Sequence, residues 1–237
     1  MTSLTVHTLD SAPEASKPLL EDSIKAFGML PNLHGIMAAS PQVLEGYKVL
    51  HDLFQKTDFT AEELTVVWQT INVEHGCHYC VPAHTAIAHS MKVDAALTEA
   101  LRNAEPMPTP KLQALQDMTL LITRNRGVVS DADLDAFYSA GYTERHVQEI
   151  ILGLAQKVMS NYINHIGNTP VDAPFAKFDI VFCQNVLIYF DRETRLHIID
   201  QLLTRTRAGG LLVLGAGEAA QLLVAQMLRS SAGYLPV

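Results

Sequence analysis

Apolar residues recur at helical intervals through the first 170 positions of the chain, interrupted by short polar or glycine-bearing breaks. "APEASKPLLEDSIKAFGML" predicts a helix that stops at Gly28, and Pro31 and Asn32 break the pattern after it. In "SPQVLEGYKVLHDLFQ" Ser40 is placed to cap a helix whose first position, Pro41, needs no N–H partner. "TAEELTVVWQTINVEH" repeats the logic, with Thr60 and Glu63 at capping-box spacing. Gly76 ends that helix, and a further one is expected from about Cys77 to Ser90. "KLQALQDMTLLITRNRG" and "SDADLDAFYSAG" each close on a glycine. "TERHVQEIILGLAQKVMSNYINHIG" predicts the longest helix, capped by Thr143 and stopped at Gly167. No stretch before residue 178 alternates as a strand does. Residues 1–177 therefore predict an all-α domain.

The pattern changes at residue 178. "FDIVFCQNVLIYFDRETRLHIIDQLLTRTRAGGLLVLGAGE" reads strand, helix, a turn at Gly209 and Gly210, then strand. Two strands and a helix cannot bury their own faces, so residues 178–237 predict a short α/β extension rather than a full sheet domain. Cys183 falls where a buried strand residue is expected.

Composition narrows the partners. The 237 residues are 48% hydrophobic and 18% charged, with a net charge of −8, which speaks against nucleic acid or an anionic membrane as the main partner. The most apolar run, "LLVLGAGEAAQLLVAQML", carries Glu218, Gln221 and Gln226 and would span a membrane badly. "MTSLTVHTLD" has neither a basic start nor an apolar core, so no signal peptide is expected. Three cysteines, two of them in a C-x-x-C, suit a working dithiol in a reducing cytoplasm better than a disulfide framework.

That dithiol lies in "EHGCHYCVPAH", residues 74–84. On a helix Cys77, Cys80 and His84 fall on one stripe, with Glu74 nearby if the turn at Gly76 is tight. The free N–H groups at a helix start favour a thiolate, here expected at Cys77, and Pro82 fits such a start. His84, four residues after Cys80, could take a thiol proton, and Glu74 could orient the imidazole directly or through water. Covalent haem attachment needs histidine after the second cysteine, where Val81 stands. Structural zinc needs four closed ligands; Cys77, Cys80, His84 and one of His75 or His78 could supply them, but no second ligand pair accompanies them. A thioredoxin-like dithiol would have βαβ surroundings. Two small buried cysteines at a helix start remain the bland alternative.

Glu-x-x-Cys-x-x-Cys-x-x-x-His in a helical chain resembles the carboxymuconolactone decarboxylase and alkylhydroperoxidase D (AhpD-like) superfamily. The resemblance covers about residues 20–176, including "GMLPNLHGIMAASPQVLEGY" and "NYINHIGNTPVDAPFAKF". It implies a peroxidase or disulfide oxidoreductase with Cys80 as peroxidatic thiol, Cys77 as resolving thiol, His84 as proton acceptor and Glu74 in the relay. By the same resemblance the substrate is a small hydroperoxide, the electron donor a dithiol or protein thiol, and the assembly a homotrimer or homohexamer. No cofactor or metal beyond the dithiol is implied. The sequence departs from the pattern at two places. The upstream relay glutamate of the best-known members is Thr65 here, with Glu62 and Glu63 out of register, and the histidine before the second cysteine is Tyr79. Lactone decarboxylases of the superfamily lack the cysteine pair. A thiol- or metal-sensing helical scaffold is the reading from another functional class.

Residues 178–218 resemble the late part of CheR-type chemotaxis methyltransferases, with Gln184 in place of an arginine and Asn185 at a cofactor-contacting position. Nothing upstream offers the strand and glycine-rich turn that hold S-adenosylmethionine, so binding of that cofactor is not expected.

Overall fold

The computed structural model describes residues 4–173, 178–183 and 187–214. The chain divides into two units, Met1–Asp172 and Ala173–Val237. Among the described residues the first unit is all-α. It comprises α1 (Lys17–Phe27), α2 (Asn32–Met37), α3 (Pro41–Gln55), α4 (Ala61–Glu74), α5 (Cys80–Ser90), α6 (Ala95–Arg102), α7 (Pro110–Arg124), α8 (Asp131–Ser139) and α9 (Glu144–Gly167).

Most of the predicted boundaries fall where local chemistry puts them. Ser40 Oγ accepts from Val43 N at the start of α3. The box at α4 is complete: Thr60 Oγ1 accepts from Glu63 N at 3.3 Å and Glu63 Oε2 from Thr60 N at 2.9 Å. Glu63 is buried, and its other oxygen receives Lys111 Nζ at 2.8 Å and Tyr142 OH at 3.0 Å. Gly28 and Gly76 take the positive φ that ends a helix. Two expectations are corrected. At the end of α9 the left-handed residue is Asn168, one position beyond Gly167. More consequentially, α5 begins at Cys80 rather than Cys77. Cys77 lies in the preceding turn, where its N–H bonds back to Asn72 O at 2.9 Å. Helix α6, capped by Asp94, was not anticipated by the periodicity.

Helix α4 runs through the middle of the unit, against α5, α6, α7 and α9. Val67, Trp68 and Ile71 of α4 pack with Leu97 and Leu101 of α6, Leu115, Met118 and Ile122 of α7, and Ile150 of α9. Every residue from Glu63 to Asn72 is buried. A helix surrounded on all sides has no solvent face for its polar residues, so Gln69 and Asn72 must find partners inside. They find them around the two cysteines.

In the second unit, β1 (Phe178–Cys183) and β2 (Thr206–Leu214) pair in parallel, and α10 (Arg192–Arg205) connects them. Asp191 Oδ1 caps α10 by accepting from Thr194 N at 2.9 Å. Cys183, Leu187, Ile199, Leu212 and Leu214 form a small core, with Cys183 a buried strand residue as expected. The turn expected at Gly209 and Gly210 is instead part of β2. Phe178 pairs with Thr206 and Ile180 with Leu211, so the glycines fall in an irregular stretch of the ladder. Gln184, Asn185 and Glu218 lie outside the described residues.

Candidate active site

Three segments build the site: the end of α4, the turn and first residues of α5, and one face of α9. The turn is pinned from both sides. Tyr79 OH accepts from Leu33 N at 3.3 Å and donates to Asp172 Oδ2, whose other oxygen accepts from Asn32 N at 3.0 Å. His78 Nε2 donates to Thr169 O at 2.9 Å. These contacts fix the backbone between the cysteines, and both thiols point inward: Cys77 is 0% and Cys80 2% exposed.

Helix α9 closes over them with a polar stripe. Lys157, Ser160, Asn161 and Asn164, spaced as neighbours on one helix face, are all 0% exposed. Asn164 Nδ2 lies 3.2 Å from Cys80 Sγ and 3.8 Å from Cys77 Sγ, so one amide reaches both sulfurs. Asn161 Nδ2 donates to Asn72 Oδ1 at 3.0 Å and Asn72 Nδ2 to Gln69 Oε1 at 3.1 Å, satisfying the buried polar groups of α4. Gln69 Nε2 in turn donates to Val81 O at 3.1 Å and Thr85 Oγ1 at 3.2 Å on α5. On the other side of Lys157, Gln156 accepts from Trp68 Nε1 at 2.7 Å and donates to His51 Nδ1 at 3.0 Å.

The two thiols are electrically unlike. Burial alone would push the Cys80 thiol up. A hydrogen bond from Cys77, the charge of Lys157 and smaller contributions from Ser160 and Asn161 outweigh it, and hold Cys80 near 6 rather than its ordinary 9. Cys77 moves the other way, raised first by its hydrogen bond to Cys80, then by burial and by the neighbouring negative charge. The pair thus loses its first proton from Cys80 and keeps the second on Cys77. Cys80 N donates to Cys77 Sγ at 3.3 Å, so the open N–H of the helix start serves the resolving thiol.

The structure brings Cys77, Cys80 and His84 to one buried place and leaves Glu74 out. Both oxygens of Glu74 are held by Arg124, from Nε and from the terminal nitrogen at 2.7 Å each, on the outside of the unit. Arg124 keeps that carboxyl below its usual range, and Glu74 makes no hydrogen bond to His84. The reason is the turn itself: a glycine with φ of +61° after α4 sends the chain away before α5 begins. Glu63 is occupied by the cap of α4 and by Lys111, and Glu62 is exposed. His84 lies 2.6 Å from Lys157 Nζ through Nε2. Burial first, then the Lys157 charge, holds His84 well below its ordinary value, so the imidazole is neutral. Its partner is a lysine 73 positions away, not a carboxylate. Lys157 was missed because a lysine in a long helix reads as surface. The available signal was four polar residues at i, i+3, i+4 and i+7 along one face of the second half of α9.

A zinc site does not assemble from these residues. His75 donates to Asn161 Oδ1 at 2.8 Å, His78 to the Thr169 carbonyl, and His84 faces Lys157. Among the described residues no three His, Cys, Asp or Glu side chains gather as ligands. Nor is any described helix long and apolar enough to cross a membrane.

Replacing Glu74 with glutamine should leave thiol alkylation rates and their pH dependence unchanged. Its exposed pair with Arg124 contributes about 1 kcal/mol or less to stability. A displaced alkylation profile in the Glu74→Gln protein would return the carboxylate to the relay.

The helical fold around a buried Cys-x-x-Cys is that of the alkylhydroperoxidase D core. A peroxidase-related protein from Ralstonia eutropha JMP134 matches with a TM-score of 0.65 and 20% identity, over 72% of this chain and 92% of that one. A peroxidase-related protein from Silicibacter sp. TM1040 matches with a TM-score of 0.63 and 18% identity, over 73% and 93%. By sequence, the pattern described as "CheR methyltransferase, SAM binding domain" matches residues 98–232, more than half of the chain, and the protein belongs to that family. The matched stretch starts inside α6 and takes in α7, α8 and α9 before it reaches the second unit. A chemotaxis protein methyltransferase of Vibrio parahaemolyticus is 47% identical over 47 residues. That match takes in 20% of this chain but only 17% of the Vibrio protein. The chain therefore spans less than a fifth of that relative's length.

Proposed function

We propose that the first unit is a dithiol oxidoreductase that reduces small hydroperoxides or exchanges disulfides, with Cys80 as nucleophile and Cys77 as resolving thiol. The observation that carries this reading is the electrical asymmetry of two buried sulfurs reached by one Asn164 amide. A thiolate near neutral pH is the reactive form, and a protonated thiol beside it can close on the oxidised sulfur. Cys80 attacks the outer peroxide oxygen, forming S–O and breaking O–O. Cys77 then attacks the sulfenic sulfur, forming the disulfide and releasing water. A dithiol or protein thiol returns the pair to the reduced form. The fold shared with peroxidase-related proteins supports the same reading.

The second unit is accounted for separately, by its family match. Its sequence match favours S-adenosylmethionine binding as a second reading, while its described portion supplies a parallel strand pair, one α-helix and a single 3-10 turn. A working Cys77 and Cys80 dithiol fits a reducing compartment. The exposed Val49, Leu53, Ile151, Tyr162 and Ile166 on α3 and α9 fit self-association.

Two measurements on the full chain decide between the readings. Reduced protein mixed with hydroperoxides of increasing size, with dithiothreitol as donor, should turn over the small ones. Calorimetry should give no heat with S-adenosylmethionine. Absence of turnover across the panel, together with micromolar cofactor binding, would transfer the function to the second unit.

A further inference from the structure

We propose that the proton given up by Cys80 in the reduced dithiol resides on Lys157, which delivers it to the alkoxide that leaves when Cys80 attacks a hydroperoxide. The inference rests on the hydroperoxide reading above for its last step, and on the packing of α9 for the rest.

Lys157 is one of the largest fully buried side chains of the protein. An ammonium taken out of water is costly without an anion beside it. The carboxylates on and around α9 are committed elsewhere. Glu149 is paired with Arg145, Glu63 with Lys111, Glu74 with Arg124, and Asp172 with Tyr79 and Asn32 N. The other titratable groups near it are the neutral His84 of α5 and His51 and Tyr47 of α3. Burial lowers both imidazoles and raises the phenol, so none of the three supplies a negative charge near pH 7. What remains is sulfur. Burial pulls the Lys157 ammonium down, and Cys80 and then Cys77 push it back up. Lysine and Cys80 thus share one proton, and the donors aimed at Cys80 Sγ, the Cys77 thiol and the Asn164 amide at 3.2 Å, favour thiolate with ammonium over neutral thiol with neutral amine.

His84 is a positioning residue in this scheme. Its Nε2 accepts from Lys157 Nζ at 2.6 Å, which places the imidazole proton on Nδ1. Nδ1 has no hydrogen-bond partner among the described residues. The ring is held by Trp68, with centroids 4.9 Å apart. A neutral, fixed acceptor keeps the amine in place without competing for its proton.

The steps balance. The Cys80 thiolate takes the outer oxygen of ROOH; its sulfur is oxidised by two electrons and the O–O bond breaks. Lys157 protonates the departing alkoxide and becomes a neutral amine. Cys77 forms the disulfide, and its proton leaves with the sulfenic hydroxyl as water. The amine now faces a neutral disulfide, so no unpaired charge is buried in the oxidised state either. A dithiol donor returns two electrons and two protons, one to Cys77 and one to Lys157.

The test is the pH dependence of Cys80 alkylation, which does not depend on turnover. Wild-type protein should show a thiolate titrating near pH 6. In Lys157→Met, of similar length but uncharged, the titration should move to 9 or above, slowing alkylation at pH 7 by about 100-fold. Should that variant fail to fold, the wild-type protein suffices. Stoichiometric oxidation by diamide in weak buffer at pH 7.5 should abolish the thiolate absorbance with no net proton uptake. Uptake of one proton per disulfide would mean that Lys157 stays charged, and would overturn the assignment. So would an alkylation profile unmoved in the folded variant. A titration that shifts as expected in a protein that turns over no hydroperoxide supports the proton assignment and sinks the peroxidase reading instead.

Discussion

Replacing Cys80 with serine is expected to reduce hydroperoxide turnover by about 10³-fold or more, because a buried hydroxyl stays protonated where the thiol ionises near pH 6. The loss should appear in the first oxidation event, read as a single turnover of reduced protein with excess peroxide. Cys77→Ser should behave differently. The nucleophile, Lys157 and the Asn164 contact to Cys80 all remain, so one equivalent of peroxide should be consumed. The reaction should then stop at a sulfenate that a diketone trap captures. Equal loss in both variants would mean that the sulfurs do not divide the work as their unlike titrations indicate. Normal turnover in Cys80→Ser would move the nucleophile to Cys77.

The second large effect is expected far from any sulfur. Gly153 lies in the middle of α9, where glycine costs about 1 kcal/mol relative to alanine. The contact explains its presence. A Cβ there would stand 2.8 and 2.9 Å from two ring carbons of Phe54 and 3.1 Å from Val67 Cγ1, both fully buried side chains. The ring is wedged against Phe59 and Trp68, with centroids 6.0 and 5.2 Å away, and has little room to turn. Gly153→Leu should therefore destabilise the protein by about 3 kcal/mol, a fall in Tm of roughly 6–12 °C for a chain of this size. Because Lys157 follows one turn later, the surviving folded protein should also show a raised Cys80 titration. An unchanged Tm would mean that α9 can stand off from α3 and α4, and that the close approach does not set the site.

The elements of the first unit were legible because their signals are local. Capping residues such as Ser40 and Thr60 bond to backbone three positions away, and glycines such as Gly28 and Gly76 act through their own φ. The same locality misplaced the start of α5: Cys77 looks like a helix residue, but its N–H is used by Asn72 and the helix waits for Cys80. In the second unit, Gly209 and Gly210 imitate a turn while pairing across the ladder makes them part of a strand. The surroundings of Glu74 escaped the sequence in the same way. Three residues before a cysteine is close in sequence, yet Arg124 of another helix holds both of its oxygens.

The sequence by itself determined that this chain carries an all-α domain with a Cys-x-x-Cys-x-x-x-His motif, and that the chain changes character near residue 178. Helix periodicity, caps and motif spacing are short-range properties, and twenty residues are enough to express them. The tertiary structure decided which groups surround the thiols. Lys157, Ser160, Asn161 and Asn164 come from a helix some 80 positions downstream, and they lie over the cysteines only because α9 packs against α4. Charge acts through space and with the inverse of distance, so the lysine that joins the Cys77 hydrogen bond in lowering the Cys80 thiol could be found only after the chain had brought it there.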